Sequence, residues 1–345
     1  ITGVTTLVAG GNAITLDRTG NNFQAAVIVT SGGNVQLVDT NAIILGASTV
    51  TGTYAVTATS GNITADSGAL IITGASTFKT VANGSDIELD YATHAFSNSV
   101  TLKAGSGGGG TFGDITFVDS EGAVDLDSSA SANGDLYIDA STDGAVGGTL
   151  SIKANGVITQ NVDLAVTDAT TLEAGSNAIT LNRSGNDFQD AVIVTSGGDV
   201  ALRDTNAIVL GASTVTGTYS VQAAGAITES GDLAITGVTT LVAGSNAITL
   251  DRTGNNFQAA VIVTSGGNVQ LVDTNAIILG ASTVTGTYAV TATSGNITAD
   301  SGALIITGAS TFKTVANGSD IELDYATHAF SNSVTLKAGS GGGGT

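Results

Sequence analysis

Residues 1–111 recur at 235–345, 234 positions on, with one difference: Gly11 becomes Ser245. Repetition of this quality constrains the fold before any motif does, because a chain that copies itself is built from units that stack on their own kind. A shorter repeat lies inside the long one. Residues 11–32 and 84–105 align without a gap, matching Ile14, Leu16, Phe23, Val27, Val29 and Gly32 to Ile87, Leu89, Phe96, Val100, Leu102 and Gly105. A third copy carries Ile179, Leu181, Phe188, Val192, Val194 and Gly197. Successive copies start at Gly11, Gly84, Ser176 and Ser245. The three intervals between them divide into steps of about 23–24 residues, the size of a solenoid unit. The expected organisation is one continuous segment over 1–345, with a long repeat 1–234 and 235–345 repeating 1–111. Both ends then read as cuts in a longer tandem array, with Thr345 leading into something like Phe112.

Within each step the pattern is that of strands. Ile14–Leu16, Val35–Leu37 and Val100–Leu102 alternate apolar with polar residues, and Val, Ile and Thr dominate. Gly-Asn, Ser-Gly and Thr-Gly pairs punctuate the runs at turn spacing. Comparing copies sharpens the reading: Val35 and Leu37 return as Val200 and Leu202, whereas Gln36 and Val38 become Ala201 and Arg203. Position 38 is therefore expected to face solvent, and Val35 and Leu37 a core. The predicted fold is all-β, a right-handed parallel β-solenoid (β-helix) of about 23–24 residues per turn and roughly 15 turns, with three strands on three faces of each turn. Five of the nine Phe residues, Phe23, Phe96, Phe188, Phe257 and Phe330, occupy one template position in its core.

Composition agrees where it bears on this fold. The chain has 48 Gly and no Pro, Cys, Met or Trp. Small residues suit tight corners, and Pro would delete ladder hydrogen bonds. Absence of Cys excludes disulfides and thiolate sites. A tandem array of immunoglobulin-like domains is disfavoured by the missing Trp, Cys and Pro and by the short step. A hydrophobic fraction of 42% excludes intrinsic disorder. No apolar run is long enough for a membrane-spanning helix. A net charge of −20 repels a phosphate backbone and excludes nucleic acid as a partner. The start at Ile1, without Met or signal peptide, reads as a piece of something longer or a processed product.

The segments DTNAI, GASTVTG and ITxSGxLxITG, recurring at 39–74, 204–237 and 273–308, resemble the repeats of giant bacterial secreted proteins of the filamentous-haemagglutinin type. The resemblance covers essentially the whole chain. It implies a right-handed β-helix shaft exported from a Gram-negative-type cell, working in adhesion, biofilm or surface-fibre roles.

Candidate chemistry is sparse, and no catalytic, cofactor-binding or metal-ligating residue is singled out. His94 and His328 are one position seen twice, and each reads as a solvated turn histidine rather than the base of a triad. Between 104 and 152 lie eight acids, Asp114, Asp119, Glu121, Asp125, Asp127, Asp135, Asp139 and Asp143, with Lys103 and Lys153 flanking them. They read as a solvated face that attracts calcium weakly and non-specifically, because no EF-hand or calcium-binding nonapeptide is present. The Gly run 107–110 lacks the Lys of a phosphate loop and reads as an extruded loop. Thr pairs such as Thr49 and Thr51 do not recur at every step, as an ice-binding face requires. The expected function is a non-catalytic shaft of an extracellular bacterial surface fibre. The alternative is a self-assembling matrix or sheath filament, and a polysaccharide-acting β-helix enzyme is the remote third. Expected partners are further copies of the chain, in a fibre or lateral bundle, and cell surfaces reached through regions outside these residues.

Overall fold

The computed structural model describes residues 1–65, 67–98, 100–105, 113–120, 124–127, 135–138, 145–146, 148–160, 163–299 and 301–339. The chain divides into two compact units, Ile1–Asn177 and Ala178–Thr345. Among the described residues every regular element is a strand, and the strands pair in parallel.

Each unit is a stack of turns with three walls. In the first unit, one wall runs through Ile14–Leu16, Val35–Asp39, Tyr54–Ala58, Ser76–Thr80 and Val100–Lys103. A second runs through Ile43–Ile44, Ile63–Thr64, Ile87–Leu89, Ile115–Asp119, Leu150–Ala154 and Thr170–Glu173. A third carries Ser48–Val50, Leu70–Ile72 and Ala95–Phe96. The second unit repeats the plan, beginning Val200–Asp204, Ile208–Leu210 and Ser213–Val215, then Tyr219–Ala223, Ile227–Glu229 and Leu233–Ile235. Parallel neighbours lie about 4.8 Å apart, so a backbone N–H of one turn meets a carbonyl of the next along each wall.

Alternation then sorts the side chains. Val35 and Leu37 are buried and Gln36 is exposed, as their copies predict. Position 38 is more sheltered than expected: Val38 and Arg203 are half-buried and Val272 is covered. The outward lane packs on itself from turn to turn, so Val272 lies beside Thr291. The template Phe residues Phe23, Phe96, Phe188 and Phe257 are all buried. In the first unit Tyr54, Phe78, Phe96 and Phe117 form an aromatic column, with T-shaped contacts of 5.8 Å and 6.1 Å and a tilted one of 5.3 Å.

Turn length differs from the expected constant step. Hydrogen bonds from turn to turn span 19, 21, 22 or 24 residues. They widen to 28 and 35 residues around Asp114, across stretches that include 106–112 and 121–147. The Gly run 107–110 lies outside the described residues.

The repeat is also not a whole number of turns. From Val200–Asp204 the chain passes Ile208–Leu210, Ser213–Val215, Tyr219–Ala223, Ile227–Glu229, Leu233–Ile235, Thr239–Val242, Ile248–Leu250, Asn256–Phe257 and Val261–Ser265 before Val269–Asp273. Val269–Asp273 is the copy of the starting strand and lies ten strands on. Ten strands make three turns and one extra wall. Val200–Asp204 pairs with Tyr219–Ala223 in one wall, whereas Val269–Asp273 pairs with Ile248–Leu250 in the next. The first unit does the same: Ile14 lies in the first wall, and its copy Ile87 in the second. The expected division into steps of about 23–24 residues is therefore corrected. The physical unit is one strand with its corner, about 7 residues long, within the range of short β-helix repeats. A copy needs a whole number of these and not of turns.

Corners stack as tightly as the walls. A Cβ on Gly237 would run into the carbonyl of Gly217 one turn earlier, and Gly237 donates its N–H to that same oxygen at 2.9 Å. Gly20, by contrast, has nothing near its would-be Cβ. Gly237→Ala should lower the unfolding free energy by about 1–3 kcal/mol and Gly20→Ala should leave it nearly unchanged, as read by chemical denaturation.

Candidate functional site

The polar side chains that repeat most faithfully gather at one corner. Residues one, three and five of the strand VQLVD point inward, which buries Asp39 at the end of the strand with Val35 and Leu37. Its Oδ2 accepts the N–H of Phe23 at 2.7 Å and its Oδ1 the N–H of Asn41 at 2.8 Å. Asp204 accepts from Phe188 at 2.8 Å and Asn206 at 2.6 Å. Asp273 accepts from Phe257 at 2.8 Å and Asn275 at 2.6 Å. Each carboxylate thus clamps its own corner to the Phe strand of the turn before. Burial raises the pKa of Asp204 and Asp273 above the ordinary carboxylate value, against the lowering effect of those N–H donors.

The residue two before each template Phe is Asn21, His94, Asn186, Asn255 or His328, and as His94, Asn255 and His328 it forms a second clamp by accepting an N–H of the turn before. His94 is fully buried, which corrects the expected solvated histidine. Its Nδ1 accepts the N–H of Leu70 at 3.0 Å, and its Nε2 donates to the carbonyl of Ala65 at 3.0 Å. Burial is the main cause that lowers its pKa to about 4, so the ring is neutral at pH 7. Asn255 does the same work with a shorter side chain. Its Oδ1 accepts the N–H of Leu233 at 2.9 Å, and its Nδ2 donates at 3.0 Å to Glu229 Oε1, which stands where Ala65 stands in the other copy. Burial raises the pKa of Glu229, and the carboxylate also accepts the N–H of Arg252 at 2.6 Å. Arg252 Nε in turn donates to Asp232 at 2.6 Å, an exposed pair of small energetic weight.

The acids of 104–152 divide. Asp114 accepts the N–H of Thr149 at 2.7 Å, and Asp119 is buried and accepts that of Phe96 at 3.4 Å. The side chains of Glu121, Asp125, Asp127, Asp135, Asp139 and Asp143 lie outside the described residues. Among the described residues no group of three or more His, Asp or Glu is placed to hold a metal ion. A cleft of about 480 Å³ follows one corner past Ser120, Lys153, Asn155, Glu173 and Asn177. Lys153 Nζ meets Glu173 Oε1 there at 2.7 Å, and Asn155 and Asn177 donate to the carbonyls of Ser120 and Asn155 at 3.3 Å and 3.4 Å. Chemically the arrangement binds backbone. Oδ2 of each corner Asp and both ring nitrogens of His94 hold main-chain atoms of the turn before, and Oδ1 of each Asp holds an N–H of its own corner.

Sequence reasoning left these corner residues without a role, though one signal was present. In VQLVD, VALRD and VQLVD the Asp sits an even number of residues from two core positions, which places it inward. Clamping carboxylates on a three-walled stack of parallel turns define a tandem-repeat β-solenoid. The chain belongs to the family described as repeats of unknown function (DUF5649), which matches residues 1–30, 32–103, 112–195, 197–264 and 266–337. The matched stretches at 197 and 266 begin one ten-strand copy apart, so the family's repeat is that copy rather than a turn. No curated protein and no solved structure matches the chain. Among the described residues no helix is long and apolar enough to cross a membrane.

Asp273→Ala should cost about 1–3 kcal/mol in chemical denaturation, because two buried N–H groups lose their acceptor. The clamps respond to acid with opposite signs. The His94 pKa is depressed, so its contribution is complete above pH 6.5 and is lost as pH falls from 6.5 to about 4. The Asp204 and Asp273 pKa values are raised, so their contribution is complete below the ordinary carboxylate range and is lost as pH rises through the folded values. The His94 ring should show no NMR titration midpoint between about pH 5 and 8. Replacing it with Asn should remove the loss of stability below pH 6.5 that it contributes.

Proposed function

We propose that this chain is a non-catalytic structural repeat, the stiff shaft of an extracellular bacterial surface fibre that works in attachment and cell-to-cell contact. One observation carries the reading: the same strand occupies one wall in one copy and a different wall in another, as Val200–Asp204 and Val269–Asp273 do, so copies add length without a new core or a new fold. Stability in such a stack is a sum of turn and interface contributions, and duplication extends it at constant cost. The near-identity of 1–111 and 235–345 fits recent growth of this kind. The commitment of the repeated Asp, His and Asn side chains to main-chain atoms supports a mechanical role over a catalytic one. The resemblance to filamentous-haemagglutinin-type repeats supports the extracellular, adhesive setting.

A filament whose repeat is itself the matrix material is the second reading, favoured by the uncharged outward lane Thr15, Gln36, Ala55, Thr77 and Thr101. A deletion series of whole ten-strand copies in the native protein, imaged on the cell surface, separates the two. For a shaft, the height above the cell should fall by about 16 Å per copy, at about 4.8 Å per turn, while attachment persists. Loss of cohesion between cells without loss of height would establish the matrix reading instead.

A further inference from the structure

We infer that the chain carries two sites of spontaneous covalent modification, Asn83 and Asn317, where a corner converts its own side-chain amide into an isoaspartyl link and gains a negative charge. The inference goes beyond the shaft reading and does not depend on it.

A main-chain nitrogen reaches the side-chain carbonyl of the preceding Asn most freely when it belongs to Gly, which has no side chain to crowd the approach. Four such pairs occur, Asn83–Gly84, Asn133–Gly134, Asn155–Gly156 and Asn317–Gly318. Asn133–Gly134 lies outside the described residues. Asn83 and Gly84 are both exposed, in the corner between Ser76–Thr80 and Ile87–Leu89. Neither makes a hydrogen bond among the described residues, so the Gly84 nitrogen is not held in a ladder. Gly84 has φ +67°, and nothing stands near its would-be Cβ, which leaves room for a ring. Asn317 and Gly318 repeat the setting, exposed, with φ +75° and the same open space. In the other template copies Gly10, Gly175 and Gly244 stand in the place of Asn83, so the corner makes no use of the amide. Asn155 differs. Its N–H donates to the Asp119 carbonyl at 3.2 Å and its Nδ2 to the Ser120 carbonyl at 3.3 Å. Its own carbonyl accepts from Asn177 at 3.4 Å, so main chain and side chain are both tied to neighbouring turns.

The chemistry balances with water as the only co-reactant. The Gly84 nitrogen loses its proton and attacks the Asn83 side-chain carbonyl carbon, an intramolecular step between adjacent residues. The new C–N bond closes a five-membered succinimide, and the side-chain nitrogen leaves as ammonia, carrying the proton. Water then opens the ring. Opening at the former side-chain carbonyl gives Asp. Opening at the main-chain carbonyl gives isoaspartate, with the chain running through Cβ and one atom longer. The walls withstand the extra atom because the corner is pinned beside it. Thr80 Oγ1 donates to the Ser85 carbonyl at 2.9 Å and accepts the N–H of Gly105 at 2.7 Å, and Ser85 Oγ accepts the N–H of Gly61 at 3.3 Å. Ser76–Thr80 and Ile87–Leu89 keep their partners on either side. Each event exchanges a neutral amide for a carboxylate, so the two together take the net charge from −20 to −22.

The test incubates the full folded chain in mildly alkaline buffer, which favours loss of the Gly proton, and then digests it after Lys and Arg. Peptides 80–103 and 314–337 are identical in sequence, so one fraction reports both sites, and the variants Asn83→Gln and Asn317→Gln assign the signal. Steady conversion of both Asn residues to the mass of the acid is expected, with labelling of the product by a methyltransferase specific for isoaspartate. Each single variant should lose part of the label in that fraction and the double variant all of it. Asn155 should keep its amide in the folded chain and convert alongside the pair in denaturant, where its turn-to-turn bonds are gone. Intact amides at Asn83 and Asn317 in the folded chain would overturn the inference. Conversion of Asn155 as fast as the pair in the folded chain would also overturn it, because sequence alone would then set the rate.

Discussion

Hydrogen bonding between equivalent points of successive turns is the constraint on which the rest of this structure depends. A wall exists only because each turn offers the next a row of carbonyls and N–H groups at one spacing. The same peptide behaves differently with and without that neighbour. Val100 and Leu102 are buried beneath a following strand, whereas their copies Val334 and Leu336 are 40% and 56% exposed. Burial in this chain is a property of stacking before it is a property of the residue. The absence of Pro follows, since each interior strand needs its N–H. So does the glycine at corners such as Gly217 and Gly237, where backbone lies directly on backbone.

Where the main chain cannot supply the bond, a side chain does. The corner after VQLVD keeps one main-chain bond to the turn before, from Thr40 N–H to the Asn21 carbonyl at 2.8 Å, and the Asp39 carboxylate adds acceptors for the N–H groups of Phe23 and Asn41. His94 and Asn255 show how loosely the identity of such a clamp is prescribed. The imidazole spans from Leu70 to Ala65, and the shorter amide needs Glu229 to complete the same span. Two different pairs close one gap, and the requirement is geometric. A histidine with both nitrogens bound to backbone is a structural part, which is why its two copies recur with the repeat.

Equivalence of the three walls explains how copies of unequal length coexist, as those starting at Gly11 and Ser176 do. A strand-and-corner unit fits any wall, because every wall offers the same ladder and the same alternation of inward and outward residues. The count of such units varies too: ten strands separate Val200–Asp204 from its copy Val269–Asp273, and eleven separate Ile87–Leu89 from its copy Ile179–Leu181. The identical surface consequently appears in rotation, which a stack of whole-turn repeats could not produce. The length between successive strands of a wall is free to vary, and across spans of 28 and 35 residues Ile87–Leu89, Ile115–Asp119 and Leu150–Ala154 still pair in chain order along the second wall.

Much of the fold was legible in the residues themselves. Alternation and β-branching in VQL, ITL and VTL determined strands, copy-to-copy exchange of Gln36 for Ala201 marked the outward side, and the five aligned Phe residues marked the core. These signals are local or comparative, and one chain containing several copies supplies both. What the sequence could not decide was phase. The interval from Val200 to its copy Val269 divides as readily into three turns as into ten walls, because the strand period says nothing about how many corners close a turn. Nor could it decide the place of His94 and the corner Asp residues. Polarity alone reads as solvent, and only the approach of the preceding turn, with N–H groups that need acceptors, makes burial of a charge-bearing side chain favourable. The sequence by itself determined that the chain is a stack of parallel strands. The tertiary structure decided which strands are neighbours, because neighbourhood depends on the length of a closed turn, which no single strand encodes.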